Sequence, residues 1–323
     1  MRKALVVGIN DYPGSPLFGC EDDANEIAKL LNKHGDNSAN FGVNKVTRRL
    51  CKGELKQLII DLFSGENEIA LLYFSGHGYV DAQGNSYLVT SDYDRYDYGV
   101  SLAEVLAKAN ESKTKNKIII LDSCYSGAMG SLKSFGIEGS MLGNGLTILT
   151  SSLHSEPSVE VNGHGLFTSL LIEALDGGAA DITGNISPGS IYAYIEKALG
   201  PWDQRPVFKT NVSSFISLRK VKPLIPLECV RKITEYFSNP SEEMKLDPSF
   251  EYTNTPENII TPVEPYANPN NVNILKDLQK MVSVGLVKPV DEEHMYFAVM
   301  HNKSCKLTAA GKHFWDLVKK NKI

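Results

Sequence analysis

Two short runs of the chain end in residues that could carry out nucleophilic chemistry. The run ALLYFSGHGYV places an apolar strand directly before His77, which has a glycine on each side. The run KIIILDSCYSGAMG places a second apolar strand directly before Asp122 and Cys124. An imidazole and a thiol at the carboxyl ends of neighbouring strands meet the requirement of a cysteine nucleophile with a nearby general base. This pair, 47 positions apart, predicts nucleophilic catalysis.

The pairing matters because either residue alone favours a structural role. A lone histidine is more often a satisfied core residue, and a lone cysteine is more often a small buried hydrophobic group. His164 in GHGLFT also lies between glycines, but it precedes a predicted helix and does not follow a strand. We therefore interpret it as part of a loop at a helix start, with Glu156 or Glu160 near the cleft, and not as the base.

The composition is that of an ordinary globular protein. The 323 residues carry a formal net charge of -5, with 42% hydrophobic and 22% charged residues, which gives no global attraction to nucleic acid or anionic membrane. No window approaches the roughly 20 apolar residues of a membrane span, and the start MRKALVVGIN is interpreted as a strand and not as a signal peptide. Five scattered cysteines without a CxxC pair favour free thiols in the reducing cytoplasm.

Strand-length apolar runs alternate with amphipathic helical segments, which indicates an α/β fold with a mostly parallel sheet. A hairpin over Tyr79–Val89, turned at Asp81–Asn85, follows the histidine run. The predicted strands are Ala4–Ile9, Lys45–Leu50, Ile69–Phe74, Lys117–Leu121, Leu146–Thr150 and Phe215–Leu218. The predicted helices are Asp22–His34, Gly53–Phe63, Leu102–Ala109, Leu166–Leu175 and Pro188–Leu199.

Three domains or segments are predicted: a main domain over 1–220, a Pro-rich connector with a short helix over 221–271, and a small module over 272–323. In the module, the pattern predicts helix Ile274–Val284, strands Leu286–Val290 and Met295–Met300, and helix Thr308–Lys320, which resembles part of a winged-helix module. Nine lysines against five acids in 272–323 admit nucleic-acid contact, although this surplus favours a protein-docking or packing role.

The two catalytic runs resemble the caspase and metacaspase family, in which a strand ending in SGHG supplies the histidine and a strand ending in DxCxSG supplies the cysteine. VVGINDYPG, YLVTSDYD, HGLFTSLLIEAL and QRPVF extend the resemblance over about 1–218. It implies a caspase-like three-layer sandwich with a mainly parallel six-stranded sheet. It also implies Cys124 as nucleophile, His77 as base, and an oxyanion hole formed by the N–H groups of Cys124 and Gly78.

Charge and resemblance together predict cleavage after Arg or Lys. Asp122 lies two residues before the nucleophile on the same strand, where a carboxylate favours a cationic side chain. The metacaspase pattern adds Ser75, two residues before the histidine, and Asp23, three residues after Cys20. An acid in the first turn of a helix also stabilises the helix dipole, so a capping role for Asp23 stays open.

Partners and regulation are less determined by the sequence. We expect a protein or peptide substrate, an activating protein that docks on the C-terminal module, and no cofactor. Calcium ligation by Asp92, Asp94 and Asp97 lacks a DxDxDG spacing, so no metal is predicted. Lys133, in the loop after the nucleophile, is a candidate self-cleavage site. Two alternative functions stay open: a catalytically silent scaffold and a DNA-binding regulator. The family resemblance also suggests a pathway, because bacterial family members with added modules often act in stress or defence.

Overall fold

The structure, a computed structural model, describes residues 1–123, 142–151, 160–161, 164–200, 205–257 and 262–323, with only the backbone at 160, 161 and 164. The chain divides into two compact units, Met1–Lys222 and Pro223–Ile323. In these described ranges, no helix is long and apolar enough to cross a membrane. Cys124 and Lys133 lie outside the described residues.

The first unit alternates strands and helices. Its first half contains β1 (Arg2–Gly8), α1 (Cys20–Asn32), β2 (Gly42–Val46), α2 (Lys52–Phe63), β3 (Ile69–Ser75), β4 (Gly78–Val80), β5 (Ser86–Asp94), β6 (Asp97–Ser101) and α3 (Leu102–Glu111). Its second half contains β7 (Asn116–Asp122), β8 (Leu146–Thr150), β9 (Glu160–Val161), β10 (His164–Gly165), α4 (Leu166–Glu173), a π-helical turn (Ala174–Gly178), β11 (Asn185–Ile186), α5 (Pro188–Ala198), β12 (Val207–Asn211) and β13 (Arg219–Lys220).

A six-stranded sheet in the order β12-β8-β7-β3-β1-β2 forms the middle layer, and every pairing is parallel except that of β12 with β8. Helices α2 and α3 bury Leu55 and Val105 against one face. Helices α1, α4 and α5 bury Ile27, Leu171 and Ile191 against the other. Because both faces are covered, the central strands are continuous apolar runs. The predicted α/β fold with a mainly parallel six-stranded sheet is confirmed.

Two predicted strands of this unit are misplaced. The segment predicted as Lys45–Leu50 forms its strand earlier, at β2. The prediction of Phe215–Leu218 as the sixth strand is wrong: β12 fills that place, with Val207 paired to Thr150, and Phe215 is 69% exposed. An edge strand such as VFKTN has one side without a neighbouring strand and needs no strong apolar pattern. The more apolar sequence FISL therefore led to the wrong choice of strand.

The predicted hairpin after the histidine forms as β4 and β5, to which β6 adds a third antiparallel strand. Asp81 organises its turn, because Oδ1 accepts the backbone N–H groups of Gln83 (3.0 Å) and Asn85 (2.8 Å). An aspartate that hydrogen bonds to the backbone two residues on is a common turn former. The small sheet thereby gives the chain after His77 a fixed course.

The second unit has its own three-stranded antiparallel sheet, in the order β14-β16-β15. The segment Met295–Met300, predicted as a strand, is a helix, because Met295, Ala298 and Val299 are buried at helical spacing while Tyr296 between them is exposed. The winged-helix resemblance stays a prediction. The unit contains α6 (Leu227–Arg231), α7 (Ile233–Tyr236), β14 (Glu243–Lys245), a 3₁₀ turn (Pro248–Phe250), α8 (Pro269–Ser283), β15 (Val287–Val290), α9 (Met295–Met300), β16 (Ser304–Leu307) and α10 (Ala309–Lys319).

The Pro-rich segment before α8 is held by one buried amide. Asn254 Nδ2 donates to the carbonyl oxygens of Pro248 (3.0 Å), Val263 (2.7 Å) and Pro265 (3.1 Å), and its Oδ1 accepts the Val263 N–H at 2.9 Å. Prolines cannot donate backbone hydrogen bonds, so a side chain must satisfy the carbonyls around them. The described residues on both sides of 258–261 are therefore held by specific contacts, although the composition of the stretch is that of a linker.

Candidate active site

The carboxyl edge of the central sheet brings two predicted site residues together. Ser75 at the end of β3 is the Cα partner of Asp122 at the end of β7, and it also pairs with Gly8 at the end of β1. Just beyond this row, the Gly76 N–H donates to the carbonyl oxygen of Asp122 at 3.3 Å. The chain segments leading to His77 and to Cys124 thus start side by side.

A buried tyrosine from another loop holds the His77 backbone. The His77 N–H donates to Tyr12 Oη (3.1 Å), and that hydroxyl donates in turn to the carbonyl oxygen of Val89 (3.3 Å). On the same row, the Val89 N–H donates to the carbonyl oxygen of His77 at 3.0 Å. The Tyr12 ring also packs edge-on against the imidazole, with 4.6 Å between the ring centroids. The Tyr12 hydroxyl therefore bridges the backbones of His77 and Val89, and the Tyr12 ring supports the imidazole.

The imidazole itself has a defined tautomer. His77 Nε2 lies 2.8 Å from the backbone carbonyl oxygen of Ser15 and 3.2 Å from Ser15 Oγ. A carbonyl oxygen can only accept, so Nε2 must carry the proton. In neutral His77 the lone pair is then on Nδ1, which is the ring atom able to act as a base.

The loop that carries Ser15 is fastened at several points. The Ser15 N–H donates to the carbonyl oxygen of Tyr12 (3.2 Å), and Tyr93 Oη donates to that of Pro13 (2.8 Å). Asn10 Oδ1 accepts the N–H of Cys20 at 3.0 Å, and so caps α1 from outside the helix. The carbonyl that orients His77 is thus tied to the start of the helix that carries Asp23.

Asp23 is buried and accepts a hydrogen bond from the end of β3. It is 2% exposed, and its Oδ2 accepts a 3.0 Å hydrogen bond from Ser75 Oγ, which is also 2% exposed. Asn10 accepts the first N–H of α1, and Asp23 also lies in the first turn of that helix. A buried carboxylate needs hydrogen-bond donors or a cation nearby, and Ser75 supplies one donor.

Asp122 is held by the first turn of α4. Its Oδ2 accepts a 2.6 Å hydrogen bond from Thr168 Oγ1, and the Thr168 backbone N–H also hydrogen bonds to the carboxylate. Burial raises the pKa of Asp122, and the hydrogen bonds from Thr168 act in the opposite direction. Gly165 at the N-cap makes room, since a Cβ there would lie 2.8 Å from Asp122 Oδ2.

Sequence reasoning missed the residues that support these groups. Ser15 acts through its backbone carbonyl, which every residue has, so its residue type could not indicate this role. Tyr12 and Thr168 lie within motifs that carried the family resemblance, but no role was assigned to them. Tyr73 could have been found, because it precedes Ser75 by two positions and so lies on the same face of β3.

The loop acids considered as calcium ligands are engaged by protein groups. Asp92 accepts the Lys52 N–H (3.0 Å) and the Thr90 hydroxyl (2.7 Å), and Asp97 forms an ion pair with Lys52 Nζ at 2.7 Å. Asp94 accepts the N–H of Asp97 at 2.9 Å. Among the described residues, no group of three or more His, Cys, Asp or Glu side chains is placed to hold a metal ion.

The comparisons with known proteins decide the family. The caspase domain model of the C14 peptidases matches residues 1–213. The chain belongs to the caspase family. The chain is therefore a member of a family of cysteine peptidases, whose substrates are proteins. No curated protein sequence matches the chain.

Two solved structures are similar to 68% of this caspase-family chain. A protein from Geobacter sulfurreducens is 18% identical, with a TM-score of 0.49 over 68% of this chain and 97% of that one. Caspase-1 from Spodoptera frugiperda is 13% identical, with a TM-score of 0.48 over 68% of this chain and 90% of that one. Sequence identities and TM-scores this low do not indicate which activity the chain has.

Proposed function

We propose that the protein is a cysteine endopeptidase that cleaves after Arg or Lys, with Cys124 as nucleophile and His77 as general base. The observation that carries the proposal is the 2.8 Å contact between His77 Nε2 and the Ser15 carbonyl oxygen, which leaves Nδ1 as the basic atom at the carboxyl edge of the sheet. The register of Ser75 with Asp122 adds support, because His77 and Cys124 each follow two residues after this pair.

The chemistry follows from these assignments. His77 Nδ1 takes the proton of the Cys124 thiol, and the thiolate attacks the scissile carbonyl carbon. The imidazolium then gives its proton to the leaving amine as the C–N bond breaks, which leaves a thioester on Cys124. A water molecule, deprotonated by His77, hydrolyses the thioester and restores the thiol. The hydrogen bond to Ser15 stabilises the imidazolium during both steps.

Gly78 is suited to donate to the oxyanion. His77 and Val89 are a hydrogen-bonded row of the antiparallel ladder, so the next residue, Gly78, directs its N–H away from β5. Since β4 is the edge of its sheet, that N–H faces outward. With the Cys124 N–H it would form the oxyanion hole, where one donor lowers the barrier by about 3 to 4 kcal/mol.

The pocket for the residue before the scissile bond is acidic. Asp23 and Ser75 are hydrogen bonded, and Asp122 lies beside Ser75 on the next strand. Two carboxylates at one edge favour a guanidinium or ammonium group and oppose an acidic side chain. We therefore propose Arg and Lys as the preferred residues, and Asp23, Ser75 and Asp122 as the substrate-binding residues.

Matched fluorogenic peptides ending in Arg, Lys or Asp test this function. Purified wild type should cleave the Arg and Lys peptides, and both Cys124→Ala and His77→Ala should be inactive. The assay is run with calcium and with chelator, so that a metal requirement is seen separately. Cleavage that persists in Cys124→Ala, or a preference for Asp, would contradict the proposal. No cleavage by wild type would favour the alternative of a catalytically silent scaffold.

For the second unit we propose a protein-docking role, with DNA binding as the weaker alternative. Tyr296 and Phe297 of α9 are 43% and 42% exposed and pack on each other, which suits a protein contact better than phosphate binding. Binding of the full chain to duplex DNA across salt concentrations tests the alternative. We also propose the cytoplasm as the compartment, since Cys51, Cys229 and Cys305 are free thiols.

A further inference from the structure

Beneath the acidic pocket, two buried hydroxyls form a chain that ends on Asp122. Tyr73 Oη lies 2.7 Å from Thr168 Oγ1, and Thr168 Oγ1 lies 2.6 Å from Asp122 Oδ2. Tyr73 and Thr168 are both 0% exposed. Neither Tyr73 nor Thr168 takes part in the proposed steps of peptide-bond cleavage.

The direction of the hydrogen bonds in this chain is fixed. An ionised carboxylate only accepts, so Thr168 must give its single proton to Asp122. The Thr168 oxygen is then left as an acceptor, and Tyr73 must donate to it. Each hydroxyl therefore directs the next toward the carboxylate, and bonds aligned in this way strengthen one another in a buried site.

The negative charges of both acids of the pocket also act on Tyr73. The pKa of Tyr73 is raised well above that of an ordinary tyrosine, mainly by burial and further by the negative charges of Asp122 and Asp23. The phenol therefore stays neutral and remains a proton donor.

The backbone prevents the carboxylate from turning away. Thr168 lies in the first turn of α4, and its backbone N–H reaches the same carboxylate as its side chain. Gly165 at the N-cap has no side chain to offer as a cap, and Asp122 takes that role from β7. The positive end of the helix dipole favours the charged form at this position.

We propose that Thr168 is a specificity-determining positioning residue: with Tyr73 behind it, its hydroxyl holds the Asp122 carboxylate in the one orientation that a substrate guanidinium requires. This inference rests on the proposed cleavage after Arg and Lys. A guanidinium binds a carboxylate as a planar fork, so its binding depends on the carboxylate's orientation. An ammonium is a compact point charge and tolerates a turned carboxylate better.

The test compares three variants with wild type on matched Arg and Lys peptides. Thr168→Val removes the hydroxyl at nearly constant volume, Thr168→Ser keeps it, and Tyr73→Phe removes only the outer donor. We expect Thr168→Val to raise KM for the Arg peptide about tenfold, the effect of losing a hydrogen bond to a charged group, with kcat little changed. For the Lys peptide the rise should be about threefold, Tyr73→Phe should be intermediate, and Thr168→Ser should resemble wild type.

A purely structural role would lower cleavage of both peptides equally or would lower kcat, and either result overturns the proposal. Thermal melting of each variant shows whether it is folded. If wild type has no Cys124-dependent cleavage, the proposed function fails, and benzamidine binding to the Cys124→Ala protein still tests Thr168. Adding Thr168→Val should weaken that binding about tenfold and adding Thr168→Ser should not. Equal affinities, or no benzamidine binding at all, overturn the proposal.

Discussion

Ser75 and Asp122 are Cα partners on the parallel strands β3 and β7, at the last position where these strands pair. His77 and Cys124 each follow two residues later in the chain. His77 and Cys124 are equally spaced from this paired row, which explains why the SGH motif suits a general base and the DSC motif suits its nucleophile.

Asp122 has two roles that substitution can separate. Asp122→Asn keeps an oxygen for the first turn of α4 but has no charge, so we expect at least about thirtyfold lower kcat/KM for Arg and Lys peptides at unchanged melting temperature. Asp122→Ala should also lose the helix cap and about 1 kcal/mol of unfolding free energy. Steady-state kinetics and thermal melting check both effects. Wild-type cleavage of Arg peptides by Asp122→Asn would rule out a charge-based pocket.

Cation binding should depend on pH through Asp122. Because burial raises its pKa, Asp122 takes up a proton at a higher pH than an ordinary aspartate, which titrates near 3.9. Benzamidine binding to Cys124→Ala should therefore weaken on acidification while ordinary aspartates are still ionised. For stability the sign is opposite: the contribution of Asp122 is greatest at low pH and is lost as pH rises through its raised pKa.

Calorimetric titration at several pH values measures this dependence. The matched control carries Asp122→Asn in addition to Cys124→Ala, and its weak binding should not change over the same range. An affinity for benzamidine that is equally pH-dependent in the two proteins would assign the titration to another group.

Gly165→Ala should disturb the pocket without touching the peptidase residues. Its Cβ would lie 2.8 Å from Asp122 Oδ2, closer than such atoms approach, so the carboxylate must move. We expect a several-fold rise in KM for Arg peptides, measured by steady-state kinetics. Gly53→Ala, whose Cβ meets nothing within 4 Å in α2, is the control and should behave as wild type. Equal KM values in the two variants would show that Asp122 is not placed by this contact.

Tyr12→Phe should impair the base more than substrate binding. The change removes the hydroxyl that joins the His77 N–H to the Val89 carbonyl and leaves two polar groups without that partner, at a cost of about 1 to 3 kcal/mol in stability. We expect lower kcat with KM for Arg peptides retained. Tyr93→Phe, which loses a more exposed bond to Pro13, is the comparison. A larger effect on KM than on kcat would contradict this role.

Self-cleavage at Lys133 can be read from intact mass. Wild type purified from cells should contain two fragments that divide after Lys133, whereas Cys124→Ala should remain whole, because cleavage requires its own nucleophile. Lys133→Gln with the catalytic residues intact should also remain whole. Identical intact masses for wild type and Cys124→Ala would remove self-processing from the proposal.

Much of the framework was predictable from the sequence. Strands buried on both faces need continuous apolar residues, so β3, β7 and β8 stood out, and the alternation with amphipathic helices indicated a parallel sheet. The polar residues that follow β3 and β7 identified the sheet edge. Edge strand β12 and helix α9 were mispredicted, because their environment and not their composition decides their conformation.

The sequence by itself determined the fold class, the family and the candidate nucleophile and base, since these depend on residue types at fixed spacing along single strands. Tertiary structure alone decided that the Ser15 carbonyl fixes the His77 tautomer, that Asn10 caps α1, and that Tyr73 and Thr168 form a hydrogen-bonded chain to Asp122. The contacts of Ser15, Tyr73 and Thr168 join segments distant in the chain, and that of Ser15 depends on a backbone oxygen common to every residue. Such pairings exist only after the sheet and its helices have assembled.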